Sequence, residues 1–314
     1  MPARAAEARR TGPVHRFAAI ALVLTVVGAG LAACSRAEEP AKARDKATAR
    51  ATSSAKPAGP CPAGEPPDYT RDGTKAPTWS DEFTGEKVDQ GRWTIRDRTS
   101  LSFDQARIHA GNVSVRDGHL VIEARRESSG ERRYSTGYLD TIGRFSQRHG
   151  RWEIRAQLPV AAGKSRGLWP AFWLRADDAP GEIDVMEAWG TPANHPRTGP
   201  ETYSWNIHED TEGGRGRFFG WGTAAGKASM ADGFHVYAVD WSPECIAFSL
   251  DGKRVGEVPT SAAPWLTESL RGKVNIRLNL QVGSHYWGRV DSRRPEQTQL
   301  PASFVVDYVR VYGP

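Results

Sequence analysis

A chain of 314 residues with 39% apolar residues and 11 tryptophans is long enough to bury one large core. Its net charge of +5 is unevenly spread: residues 1 to 60 hold ten Lys+Arg against four Asp+Glu, leaving 32 against 33 beyond them. The part that folds is near neutral, so the basic balance is neither a nucleic-acid footprint nor an argument for an acidic polysaccharide, and no nucleic-acid partner is expected.

Arg4, Arg9, Arg10 and Arg16 precede an apolar stretch from Phe17 to Leu31, which is short for a spanning helix and ends in Leu31-Ala32-Ala33-Cys34. This layout resembles a bacterial lipobox. The resemblance implies a signal peptide over 1–33, lipidation of Cys34, and a mature chain tethered to the outer face of the cytoplasmic membrane or in the cell wall. An uncleaved anchor or a simple export signal is the alternative. From Ser35 to Pro67 large apolar residues are almost absent, so residues 34–67 read as a flexible tether that cannot bury enough surface to fold. Cys61 and Cys245 remain, and in an exported protein they are either bridged or free; their spacing carries no metal signature.

Residues 68–314 read as one all-β domain, expected as a monomer. Period-2 alternation or β-branched and aromatic enrichment predicts strands over His119–Arg126, Arg151–Leu158, Leu168–Leu174, Glu182–Trp189, Thr202–His208, His235–Trp241, Cys245–Leu250, Val274–Gln281 and Phe304–Tyr312. Asp117-Gly118 and Asp251-Gly252 predict hairpin turns. Many strands with Gly- and Pro-rich connections predict a two-sheet β-sandwich or jelly roll. The tryptophans exceed what such a core needs, which leaves some for stacking on sugar rings.

The most informative segment is Glu182-Ile183-Asp184-Val185-Met186-Glu187. In a regular strand Glu182 and Asp184 share a face with Met186, and Glu187 points the other way. Two carboxyl groups flanking a glycosidic bond are the usual apparatus of glycoside hydrolysis, so the chemistry needs Glu187 beside the others. A bulge at Val185 or Met186 would supply the extra residue. The glutamate Cα atoms would then lie about 13 Å apart, with long side chains converging over a shorter aspartate, the close spacing of retaining enzymes. Glu182 is the candidate nucleophile, Glu187 the acid and base, and Asp184 the residue that tunes both by charge and hydrogen bonding. The alternative is an edge strand whose acids are merely solvated. Trp169 and Trp173, on one face of the preceding strand, would flank the charge if that strand pairs beside the carboxylates.

Together with Trp79 to Phe83, Gly111 to Leu120, Gly150 to Arg155, Phe234 to Trp241 and Asp307 to Tyr312, these segments resemble glycoside hydrolase family 16, the laminarinase-like endo-glycanases. The resemblance implies a concanavalin A-like jelly roll and the same three carboxylate roles. The extra residue before Glu187 matches the bulged laminarinases, agarases and carrageenases and differs from the unbulged lichenases. It implies a cleft histidine at His208 near the leaving group, with period 2 placing Ser204 and Asn206 on the cleft face and Tyr203, Trp205 and Ile207 in the core. Trp189, Arg144 and Trp287 are further substrate-binding candidates. Catalysis needs no cofactor, but some members hold a structural calcium, here through Glu82 and Asp307. The expected activity is retaining hydrolysis of internal β-linkages, foremost in β-1,3-glucan. The rival readings are a non-catalytic carbohydrate-binding protein and a transglycosylase of a wall or capsule polymer.

Overall fold

The alternating runs become strands that pair almost entirely antiparallel. A computed structural model describes residues 61, 63, 75–101, 104–128, 131–192, 199–210, 216–285 and 288–314. The signal segment, Cys34, most of the tether and Trp287 lie outside the described residues. In chain order the strands are β1 (Trp79–Asp81), β2 (Thr94–Ile95), β3 (Ala106–Ile108), β4 (Val113–Arg116), β5 (His119–Ala124), β6 (Tyr134–Thr136), β7 (Tyr138–Asp140), β8 (Gly150–Gln157) and β9 (Leu168–Ala176). There follow β10 (Glu182–Glu187), β11 (Thr202–His208), β12 (Arg217–Thr223), β13 (His235–Trp241), β14 (Cys245–Leu250), β15 (Lys253–Pro259), β16 (Val274–Val282) and β17 (Ala302–Tyr312). A single helical turn, α1 (Trp265–Ser269), sits between β15 and β16.

One sheet runs β12-β11-β10-β9-β16-β7-β2, and the other runs β15-β14-β13-β8-β17-β5-β4 with β1 added beside β17. A parallel pair, β3 with β6, stands apart. The predicted all-β sandwich is what forms. Asp117-Gly118 and Asp251-Gly252 join β4 to β5 and β14 to β15, each with both residues at positive φ as a two-residue hairpin requires.

The inner faces of the two sheets make the core. Trp205 of β11 stacks on Phe248 of β14 with ring centroids 4.4 Å apart, and Tyr203 meets Tyr237 edge-on at 5.1 Å. Such contacts across the sandwich are favourable beyond the area they bury. The Trp205 ring also lies against backbone in both sheets: a Cβ on Gly220 of neighbouring β12, or on Gly256 of β15 in the opposite sheet, would fall 2.2 Å from it. Glycine is needed at both positions to let the ring lie there. Cys61 is bonded to Cys245 at the start of β14, so the bridged alternative is the one realised, and it ties the start of the described chain to the sheet opposite β10.

Candidate active site

β10 carries the predicted irregularity. Against β9 its register runs Asp184 to Trp173, then Met186 to Phe172 and Glu187 to Ala171, so Val185 is the extra residue. Against β11 the same shift appears between Asp184 and Glu187. Ile183, Val185 and Met186 are fully buried in the core, and Glu182, Asp184 and Glu187 share the outer face. A one-residue bulge therefore restores the face that strict alternation would have taken from Glu187.

Register maps the surroundings. Glu182 lies between Arg175 of β9 and His208 of β11; Asp184 lies between Trp173 and Asn206; Glu187 lies between Ala171 and Ser204. Both oxygens of Glu187 accept hydrogen bonds, from Trp169 Nε1 at 2.9 Å and from Asn206 Nδ2 at 2.7 Å. His208 Nε2 lies 3.1 Å from Asp184 Oδ2. Arg217 of β12 holds the other end of Asn206, donating through its guanidinium to Oδ1. Trp173 Nε1 donates to Asn279 of β16 at 2.7 Å.

The electrostatics follow from burying three acids together. Burial, and after it the charge of Asp184, pushes the Glu182 carboxyl up to about 8. Burial lifts Asp184 to about 7, against a hydrogen bond with Glu182 and the Arg217 charge. Glu187 is driven well above the carboxylate range by burial and then by the Asp184 and Glu182 charges, with the Trp169 bond opposing. His208 is held below its usual value by burial, which favours a neutral imidazole. Three such groups cannot all ionise near neutral pH, so the cluster retains protons and titrates as a unit. Glu182, Asp184 and His208 bring one ligand atom each within 4.8 Å.

Among the other expected residues, Ser204 and Asn206 face outward as predicted, and Tyr203, Trp205 and Ile207 are buried in the core. Trp169 and Trp173 share the outer face. Trp189 is a correction: it is only 3% exposed, wedged between Trp169 and Trp221 at 6.1 and 5.7 Å. It supports the Trp169 ring and offers no open face to a sugar. Arg144 is exposed in the turn after β7, its N–H bonded to Thr141 O. The calcium expectation does not fit the residues. Glu82 is paired with Arg310 at 2.8 Å, and Asp307 with Arg155 at 2.6 Å, with His119 at 3.6 Å. Each carboxylate is already held by a guanidinium, so among the described residues these two offer no cluster of free oxygens to a hard cation.

Sequence reasoning missed Arg217, Phe219 and Trp221 on β12, which bring a cation and two aromatic rings to the same face. It also passed over the polar face of β16. There Asn275, Arg277, Asn279 and Gln281 alternate with Ile276, Leu278 and Leu280 and stand beside β9. That strict alternation was a signal in plain view.

Comparison with known proteins agrees with this geometry. The family model described as Glycosyl hydrolases family 16 matches residues 102–293. The beta-glucanase of Rhodothermus marinus is 33% identical over 256 residues, covering 74% of this chain and 84% of the relative. The glucan endo-1,3-beta-glucosidase A1 of Niallia circulans is 31% identical over 269 residues, 74% of this chain; the chain spans only 37% of that longer protein. Among solved structures, the endo-beta-1,3-glucanase of Pyrococcus furiosus superimposes with a TM-score of 0.65 at 28% identity, over 76% of this chain and 94% of that one. With its model matched across more than half of the length, and with a sandwich and a bulged carboxylate strand in accord, the chain belongs to glycosyl hydrolases family 16.

Proposed function

We propose that this protein is an endo-acting glycanase that cleaves internal β-linkages with retention, with β-1,3-glucan as the foremost substrate. The observation that carries the reading is the bulge at Val185, through which three interacting carboxyls come to one face. The β-1,3 preference draws on what the relatives are named for. In the proposed mechanism Glu182 attacks the anomeric carbon as the carboxylate. Attack requires the proton that the pair shares to pass from Glu182, which holds it at rest, to Asp184, which then donates a hydrogen bond to the nucleophile. Glu187, kept protonated by its surroundings, delivers its proton to the leaving oxygen. A glycosyl ester on Glu182 results. Glu187, now ionised, takes a proton from water, the water attacks the anomeric carbon, and Glu182 leaves as the carboxylate. His208, beside Asp184, and Asn206, on Glu187, position the two acids.

The leading sequence segments extend the proposal to place. Cleavage before Cys34, lipidation of that cysteine and a flexible tether would hold a monomeric catalytic domain at the outer membrane face, reaching a wall or external glucan. A disulfide suits such an oxidising compartment. The test is digestion of laminarin, lichenan, agarose, carrageenan and galactan by the wild type and by Glu182→Gln and Glu187→Gln, with the anomer of the first product followed by NMR. Release of internal β-1,3 oligosaccharides with the β-anomer first, lost in both variants, is expected. Product of inverted configuration would remove the nucleophile role, and activity confined to a galactan would remove the glucan preference alone.

A further inference from the structure

We propose that Arg277 forms a subsite for an oxyanion, a carboxylate or sulfate borne by a sugar close to the cleavage point, so that the protein favours β-glycans with acidic substituents there. This rests on the glycanase reading above and narrows its substrate. Arg277 stands in the same cross-strand row as Asp184: it faces Trp173 across β9, and Trp173 faces Asp184. Two strand spacings separate them, about 10 Å, within the reach of a bound oligosaccharide.

The guanidinium is held in place by neutral groups. It lies 4.7 Å from the centroid of the Trp173 ring, its Nε donates to Asn275 Oδ1 at 3.0 Å, and it faces the Tyr138 phenol, whose ring stacks on Trp173. The residue opposite on β7, Asp140, is taken instead by Arg96 at 2.5 Å. Among the described residues no ion pair includes Arg277. Arg175 stands diagonally across β9, in the row of Glu182. This side of the carboxylates therefore presents three guanidiniums, of Arg96, Arg175 and Arg277, against two aspartates: Asp140, which Arg96 pairs, and Asp177, which accepts a hydrogen bond from Asn275 at 2.8 Å. Near-neutrality of the whole fold hides this local excess.

A half-buried guanidinium without a counter-charge is costly unless a ligand completes it, and its planar fork fits an oxyanion with two parallel hydrogen bonds. A hydroxyl-only sugar would be served as well by the asparagines alongside. The rival role for Arg277 is packing on Trp173, and the two roles separate experimentally.

Binding is measured by calorimetry on the Glu182→Gln protein, which does not turn over. The ligands are a neutral β-1,3-gluco-oligosaccharide, the same compound oxidised to a carboxylate at C6, and the same compound sulfated at O6. At least one acidic ligand is expected to bind about tenfold more tightly than the neutral one at low salt, with the advantage shrinking as ionic strength rises. Adding Arg277→Gln removes most of that advantage, and adding Arg277→Lys keeps part of it. The carboxylate and sulfate arms show which oxyanion fits. Equal binding of neutral and acidic ligands, no binding of any, or an acidic advantage that survives Arg277→Gln with its salt dependence intact overturns the proposal. Parallel losses for neutral and acidic ligands in both Arg277 variants assign it to packing instead. Failure of the glycanase reading shows separately, as a wild type that binds these ligands and cleaves none of them.

Discussion

Trp169→Phe keeps a ring beside Glu187 and removes one hydrogen-bond donor from it. In the structure the two oxygens of Glu187 accept from Trp169 Nε1 and Asn206 Nδ2 at 2.9 and 2.7 Å. Both bonds favour the carboxylate, against burial and the charges of Asp184 and Glu182. A hydrogen bond to a charged group contributes about 1.5–3 kcal/mol. Asn206 and any water admitted by the smaller ring recover part of this, so about 1.4 kcal/mol is a fair net loss, equivalent to about one pH unit. Losing stabilisation of the anion raises the proton affinity of Glu187, and the acid form needed for leaving-group protonation persists to higher pH. The alkaline limb of kcat/KM should therefore move up by about one pH unit, with the acid limb in place. The assay is a pH profile of kcat/KM on a soluble β-1,3-gluco-oligosaccharide at constant ionic strength. A limb that stays put or moves down would refute the assignment of Glu187 as the acid; a lower plateau alone reflects only weaker stacking of the sugar on the smaller ring.

Stability should fall as pH rises from about 6.5 to 8, because Glu182, Asp184 and Asp104 hold protons in the fold up to about 8, 7 and 7 that the unfolded chain has released. Each contributes at most about 1.4 kcal/mol per pH unit. Below that window the depressed His208 opposes them, because it gains its proton more readily when unfolded. Melting curves across the range check this, and a Tm climbing toward pH 8 would contradict it. Deleting Val185 closes the bulge into regular alternation, with Glu187 still opposite Ala171. Hydrolysis should survive while stability drops by about 1.5–3 kcal/mol for one buried valine; an inactive but folded protein would mean that the bulge sets the glutamate spacing itself. Cys61→Ser with Cys245→Ser should cost about 2–5 kcal/mol in urea denaturation and leave kcat/KM intact, since the bridge lies on the sheet opposite the site. Equal urea midpoints for the two proteins would show that the bridge constrains nothing.

The site was legible where one face of a strand had to be core. β11 and β13 form over the predicted residues because apolar positions at period 2 leave the register no freedom. The same rule exposed Glu187 as out of step and so predicted the bulge. β12 went unseen because Gly220 and Gly222 weaken any strand signal; they are there to fit beneath Trp205 and Tyr203, a tertiary demand invisible locally. The alternation in β16 marks a strand, but it does not say which sheet that strand joins. Both sheets turn polar residues outward, and only one outward face carries the carboxylates, so Arg277 looked like ordinary surface. Glu82 and Asp307 resembled ligands until Arg310 and Arg155 were seen beside them, the latter brought from β8 to β17 by strand pairing. Trp189 was placed beside the acids by sequence and beneath Trp169 by the fold.

The bond from Cys61 to Cys245 has a mechanical consequence. If the chain is anchored by its N-terminal end, any pull on it first meets the sandwich at the disulfide. Without that bond, tension would run along the chain to β1, a three-residue strand whose ladder partner is β17, and could peel it away strand-first. With it, the load enters at the head of β14, which is paired on both sides, and is shared across the sheet. A catalytic domain held on a tether while it grips a long polymer is then stressed where it is strongest, and the face that does the chemistry stays out of the line of force.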